Sequence, residues 1–531
     1  MPTLTVSYRG VRHTAEAEVG ETLLSALQRA GFRAVEAPCG GNGTCGKCLV
    51  AAAGALSPAG SRERALLLPG ETRRLACRAR VLGDCTAVLE DPDAGAVVAA
   101  SGSQLSFPLD PPAGRKGLGL AIDVGTTTVA ARLYCLETGA VLGTAGGMNR
   151  QRAFGADVIS RIQYGIAHPE GLLQMSGAIR DQIAGYARAL CAEAGRAPDE
   201  LRSYAVAANT VMEHILAGLS PASIATAPFT PLSLFGTSLP ASDLGLPGAP
   251  EAELYLAPAA AGYVGGDVTA GLLACGACRA EQPVLFLDVG TNGEMALGNR
   301  AGFTTCAAAA GPAFEGAEIS RGMSGAAGAV SRVWLEEGAL RFSVLGGGSP
   351  KGICGSGLID ALAVMLELGA VDDTGRLLDV DEAAAAARPY LGEDGDGPLF
   401  WLDRASGLAV TAADVRKLQL AKAAVAAGIR TLLEDRGMDE ADVSALYLAG
   451  GFGSYIRRES AGAIGLLPQS LLSRTAGVGN TALTGAAAVL LSRAARAELE
   501  DLQGRCAYLE LSTHPRFSGH FIDCMFFAHA G

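Results

Sequence analysis

The feature that most constrains the fold is a repeat. The stretch "LGLAIDVGTTTVAARLY" (118–134) returns in outline as "VLFLDVGTNGEMALG" (284–298), with Asp123 and Asp288 standing 165 positions apart. Each copy is an apolar strand ending in D-V-G-T, then a tight turn, then a second alternating strand. A hairpin of this kind turns backbone N–H groups and hydroxyls toward an anion. One D-G-T turn is commonplace, but two facing each other predict a two-lobed body that can hold a polyphosphate. Gly125, Thr126, Thr127 and Thr128 would grip it from one lobe, and Gly290, Thr291, Asn292 and Gly293 from the other. Asp123 and Asp288 would face its Mg2+, directly or through water, because hard cations take oxygen ligands.

A second pattern lies at the head of the chain. Alternation over Thr3 to Tyr8 and His13 to Val19 predicts a hairpin, and leucines 23, 24 and 27 predict a helix that Gly31 ends. The loop "PCGGNGTCGKC" then supplies Cys39, Cys45 and Cys48, and Cys77 follows in "RRLACRARV", giving C-x5-C-x2-C-x28-C. Four thiolates suit an iron–sulfur cluster, whereas zinc sites usually come as two C-x2-C pairs. Glycines between the cysteines let the loop wrap closely around an inorganic core. Cys85 reads as a strand residue, and the C-x2-C of Cys275 and Cys278 as buried side chains. From Asp91 to Gly117 the sequence is rich in Pro, Gly, Ser and Ala without periodicity, the mark of a linker.

Length and charge narrow the partners. A chain of 531 residues exceeds what one core serves, so several folding units are expected. A net charge of −12, with 42 Lys and Arg spread throughout, argues against nucleic acid as a partner. The longest apolar candidate, Tyr255 to Cys278, is broken by Pro258, glycines and Asp267, so no membrane span is expected. Met1 leads straight into strand-like sequence, and thirteen cysteines without an export signal fit a cytoplasmic protein better than a disulfide framework.

The cysteine loop resembles the [2Fe-2S] ferredoxin domain of the β-grasp type, with an adrenodoxin-like first gap in place of the plant-type one. Three further stretches fall in order around the hairpins: "AAAGYVGGDVTAGLLACG" (259–276), a small-residue helix; "LYLAGGFGSYI" (446–456), a buried strand ending in a glycine turn; and "VGNTALTGAAAVLL" (478–491), another small-residue helix. Together they resemble the ASKHA ATPase superfamily of sugar kinases, Hsp70 and actin, whose motifs run phosphate 1, connect 1, phosphate 2, adenosine, connect 2. That resemblance implies ATP as the ligand, with Gly450, Gly451, Phe452 and Gly453 against the adenosine. "GGGSPKG" (346–352) lacks the ending of a P-loop.

The fold class implied is multidomain, α+β and α/β. It comprises a β-grasp ferredoxin-like domain (1–90), a linker (91–117) and a two-lobed ASKHA domain of duplicated RNase H-like lobes. Those lobes span 118–283 and 284–531, and the C-terminal helix and strands can return to the first. The stretches "NRQRAFGADVISRI" (149–162), "AANTVMEHILAGL" (207–219), "GPAFEGAEISRGM" (311–323), "GICGSGLIDAL" (352–362) and "DVRKLQLAKAAVAAGIRTLL" (414–433) resemble the reductive activators of corrinoid proteins. This implies ATP-dependent transfer of one electron from the cluster to reduce Co(II) to Co(I). The partners implied are a corrinoid protein of a methyltransferase system and an electron donor (a ferredoxin, flavodoxin or reductase), with a homodimer also suggested. Rival readings are an activator of another low-potential enzyme, such as a 2-hydroxyacyl-CoA dehydratase, a small-molecule kinase, or a redox-sensing switch. Glu294 either orients the attacking water or points outward from its strand. Glu315 either contacts nucleotide or partner, or shapes a turn. Asp267 either lies at the phosphates or caps its helix.

Overall fold

A computed structural model of the chain describes residues 1–8, 11–32, 35, 37, 41, 43, 48–66, 73–89, 107–395, 397–453 and 455–527. The N-terminal unit contains β1 (Thr3–Tyr8), β2 (Val11–Glu16), α1 (Leu23–Arg29), β3 (Leu49–Leu56), α2 (Ser61–Leu66), β4 (Arg74–Leu75) and β5 (Val81–Leu89). Its sheet runs β2-β1-β5-β3-β4. The Thr22 hydroxyl accepts the Ser25 N–H to start α1, whose leucines at 23, 24 and 27 enter this unit's core with Leu4 and Val6. Cys85 is a buried β5 residue, paired with Leu4 in the neighbouring strand. Cys39 and Cys45 lie outside the described residues.

The first lobe holds β6 (Leu118–Val124), β7 (Thr128–Cys135), β8 (Val141–Met148), α3 (Val158–Ala167), α4 (Gly171–Glu193), β9 (Leu201–Ala208), α5 (Thr210–Ala217), β10 (Thr237–Pro240), β11 (Glu253–Leu256) and α6 (Gly266–Ala274). The second holds β12 (Val284–Val289), β13 (Gly293–Asn299), β14 (Gly302–Ala308), β15 (Ala329–Glu336), β16 (Ala339–Val344), β17 (Gly352–Ile353), α7 (Gly355–Glu367), β18 (Leu391–Asp394), β19 (Gly397–Asp403), β20 (Leu408–Thr411) and α8 (Ala412–Asp435). It continues through β21 (Ala445–Ala449), α9 (Gly450–Gly453), α10 (Arg458–Ala463), β22 (Thr475–Gly479), α11 (Thr481–Leu491), α12 (Arg493–Gln503), β23 (Cys506–Tyr508) and α13 (Phe517–Asp523).

The repeat seen in sequence is a repeat in space. One sheet runs β10-β11-β9-β6-β7-β8 and the other β22-β21-β12-β13-β14-β23. In each, an antiparallel meander (β6-β7-β8, β12-β13-β14) is extended on its first strand by two parallel strands (β9 and β11, β21 and β22). The first strands are central, which explains their nearly unbroken apolar runs.

A third core joins the lobes. It mixes residues of both sheets, such as Ala121, Ala205, Phe286 and Ala296, with α6, α11 and α12. Helix α11, late in the chain, packs on β6 and β9 of the first sheet. Its crossing with α6 is so close that a methyl group at Gly485 would lie 2.2 Å from the Ala270 carbonyl oxygen. Small side chains are the condition for that approach.

Three expectations change in detail. The stretch 259–276 is helical only from Gly266, because the chain first turns at Gly262 and Tyr263 between bridged Ala261 and Val264, with Gly262 and Gly265 pressed against neighbouring backbone. The glycines after β21 form a one-turn helix, α9, instead of a turn. Of the stretch read as a linker, residues 107–117 are pinned: Asp110 N–H donates to Leu491 O at 2.9 Å, and Arg493 N–H to Asp110 O at 2.9 Å. Arg279 also covers the Phe107 ring at 4.4 Å.

Candidate polyphosphate cleft and thiolate site

Between the two hairpins lies a cavity of about 820 Å3. Its wall brings together Asp123, Gly125, Thr126, Thr127, Thr128, Asp267, Asp288, Gly290, Thr291, Asn292, Glu294, Glu315 and Gly450. Gly293 is absent from that wall and packs on Val425 instead. Gly453 is buried one turn behind Gly450, and Gly451 and Phe452 lie in the same short helix, α9. Gly450 has φ +84°, and a methyl group there would lie 2.3 Å from Asp288 Oδ1. Its missing side chain is what lets β21 end beside the acid.

Register gives the direction of Glu294, and the start of α6 gives that of Asp267. Asp288 on β12 stands directly opposite Glu294 on β13, so both side chains leave the same face and Glu294 points into the cleft. Asp267 lies in the first turn of α6, but Gly265 occupies the N-cap position. The Asp267 carboxylate accepts the Val268 N–H at 2.9 Å and faces the same cleft.

The first hairpin is held from behind by side chains that motif reading missed. Asn149, Asn209 and Asn480 each cap a helical segment through Oδ1 and spend the remaining NH2 on the hairpin. Asn149 Nδ2 donates to Gly125 O at 2.8 Å, Asn209 Nδ2 to Thr126 Oγ1 at 3.0 Å, and Asn480 Nδ2 to Asp123 Oδ2 at 2.7 Å. The cap fixes which amide atom faces the hairpin, since the helix N–H groups demand the oxygen. Buried Arg161 on α3 donates to Thr126 O and, at 3.1 Å, to Gly155 O. A signal was present: "ANT" and "GNT" open α5 and α11 in parallel positions.

The electrostatics are one-sided, with five carboxylates on the wall and one guanidinium, that of Arg332. Burial pushes Asp123 up to about 7, with the Asn480 hydrogen bond opposing it. Burial, reinforced by Asp267, Asp123 and Glu315, pushes Asp288 up to about 8. Burial lifts Asp267 to about 6 and raises Glu294 well above the carboxylate range. Burial and mutual repulsion make these carboxylates favour a bound proton or a cation over bare negative charge. Among the described residues no three His, Cys, Asp or Glu side chains converge to encase a metal. Carboxylate oxygens are the ligands hard cations take. The wall also includes Cys354, Ser356 and Tyr455, which lie in quoted stretches, and Ser324, Ser331 and Arg332, which no motif announced.

In the N-terminal unit the Cys48 thiol donates to Cys77 Sγ at 3.2 Å, and both side chains are buried. The Cys48 carbonyl accepts the Ala76 N–H at 2.8 Å, which ties the two ligand segments together. The donor chemistry fits an iron–sulfur cluster.

Comparison with known proteins covers both parts of the chain. Family models match residues 6–82 (2Fe-2S iron-sulfur cluster binding domain), 118–279 (RACo middle region) and 282–531 (C-terminal domain of RACo, the ASKHA domain). The corrinoid activation enzyme RamQ of Eubacterium limosum is 35% identical over 409 residues, 75% of this chain and 68% of that protein. A solved reductive activator for corrinoid, iron-sulfur protein is 31% identical with a TM-score of 0.73, covering 100% of this chain and 99% of its own. The chain belongs to the family of corrinoid-protein activators. A more distant relative is the reductase of the Co(II) methylated amine-specific corrinoid protein of Methanosarcina barkeri, 24% identical over 76% of each chain. Family membership explains why a thiolate loop and a polyphosphate cleft share one chain. Among the described residues no helix is long and apolar enough to cross a membrane.

Proposed function

We propose that this chain returns an inactive corrinoid protein to service by reducing its cobalt from Co(II) to Co(I), one electron at a time, at the expense of ATP hydrolysis. Cys39, Cys45, Cys48 and Cys77 would hold a [2Fe-2S] cluster that supplies the one-electron chemistry. The observation that carries the reading is the union, in one chain matched over its whole length by a solved activator, of paired buried thiols with a two-lobed acidic cleft.

The residues divide the work. Thr126, Thr127, Thr128, Thr291 and Asn292 offer hydroxyl, amide and backbone donors to phosphates, and Gly290 and Gly125 keep the turns tight. Asp123, Asp267 and Asp288 position Mg2+, while Glu294 orients the attacking water from the face it shares with Asp288. Gly450, Gly451, Phe452 and Gly453 border the adenosine. The reduction needs driving because the Co(II)/Co(I) couple is low, and each ~59 mV of adverse gap costs about tenfold in a one-electron step. ATP can contribute only through the lobe geometry it favours.

The partner is a corrinoid protein of a methyltransferase system, and the electron arrives from a small low-potential donor such as a ferredoxin, a flavodoxin or a reductase. A reducing cytoplasm is the compartment in which thirteen cysteines serve as ligands and core side chains. Self-association as a homodimer belongs to the same reading and is checked by analytical ultracentrifugation. The decisive assay is anaerobic: low-potential reductant, a Co(II) corrinoid protein and MgATP, with the visible spectrum followed for Co(I). Co(I) appearing without ATP, or ATP-dependent phosphorylation of a metabolite in its place, would end this reading.

A further inference from the structure

Glu315 closes the segment Pro312–Glu315 that follows β14, and Phe314, fully buried in the second lobe's core, anchors that segment. The Glu315 side chain crosses into the cleft, where its two oxygens are divided between the lobes. Thr127 of the first hairpin donates its hydroxyl to Oε2, and Thr291 of the second donates to Oε1 at 2.9 Å. These hydroxyls belong to the duplicated turns that face an anion, and the anion they meet is this carboxylate.

A terminal phosphate would present two oxygens to the same two hydroxyls. Carboxylate and phosphate cannot both have them, since two anions within hydrogen-bond reach of one another repel strongly in a poorly solvated cleft. We propose that Glu315 couples phosphate occupancy to the contact between lobes: it cross-links Thr127 to Thr291 until a nucleotide's terminal phosphate takes those hydroxyls and sets the carboxylate free. A ligand shifts a two-state equilibrium only by its differential affinity, and a link made in one state alone supplies that difference. The inference rests on the reading of the cleft as a nucleotide site.

The test uses the full chain with Glu315→Gln and Glu315→Ala, titrated calorimetrically with a non-hydrolysable MgATP analogue, and small-angle scattering with and without it. Glutamine keeps a neutral link and removes the repulsion, so the analogue binds roughly threefold or more tighter with unchanged free dimensions. Alanine removes both, so binding tightens and the free chain expands, contracting again with the analogue. Weaker or unchanged binding in either variant, or an alanine variant of wild-type size, overturns the proposal. Should the alanine variant melt early, the glutamine variant decides on affinity alone. Failure of the unaltered chain to bind the analogue strikes the nucleotide reading itself, a distinguishable result.

Discussion

At the residue scale, the cleft is a set of acids kept in place by amides. Asn480 does two jobs, capping α11 by accepting the Leu483 N–H at 2.8 Å and donating to Asp123. Serine can keep the first job but cannot reach for the second. Asn480→Ser should therefore melt close to the unaltered chain, while Asn480→Ala loses about 1 kcal/mol of stability. Both should weaken MgATP binding several-fold by calorimetry, because Asp123 loses its donor. The acids also make a pH prediction. Asp123, Asp267 and Asp288 titrate near 7, 6 and 8 when folded, against about 3.9 when unfolded. Between those limits the native state binds more protons than the unfolded one, so stability falls as pH rises. The denaturant midpoint of the metal-free chain should drop from about pH 4 to about pH 8, and Asp288→Asn should flatten that slope. Asp123, Thr126, Asp288 and Thr291 were legible in the sequence because D-V-G-T recurs. Ser324, Ser331 and Arg332 were not, because they reach the cavity wall from β15 and the segment before it, which carry no such motif.

At the element scale, two hairpins and two small-residue helices do most of the positioning. A side chain at Gly485 would strike the backbone of α6, so Gly485→Val should destabilise the chain by roughly 1 to 3 kcal/mol. Because α11 also carries Asn480 at its start, nucleotide binding should weaken with it; thermal melts and calorimetry report the two effects separately. Strand alternation predicted the hairpins well, since period-two patterning is a local property. It could not choose between the two orientations of Glu294. That depended on pairing opposite Asp288, which is a register. The glycines after β21 read as a turn and formed a one-turn helix, because glycine's freedom permits either and the docking beside Asp288 selects one.

At the scale of the whole molecule, an electron-carrying head and a nucleotide-binding body act through one chain, and they should be separable. Cys77→Ser in the full chain should retain MgATP binding by calorimetry. It should lose the reduced-cluster EPR signal and all production of Co(I). Loss of nucleotide binding as well would tie the two halves more closely than the fold suggests. By itself the sequence determined the thiolate spacing, the duplicated phosphate turns and the small-residue helices, since each is a short-range pattern whose chemistry is carried by adjacent residues. Only the tertiary structure decided that Glu315 would reach hydroxyls of both lobes, that three asparagine caps would converge on one hairpin, and that Asp110 would be fastened to the ends of α11 and α12. Those contacts join residues from tens to hundreds of positions apart, and burial of the shared core between the lobes is what brings them within a hydrogen bond of one another.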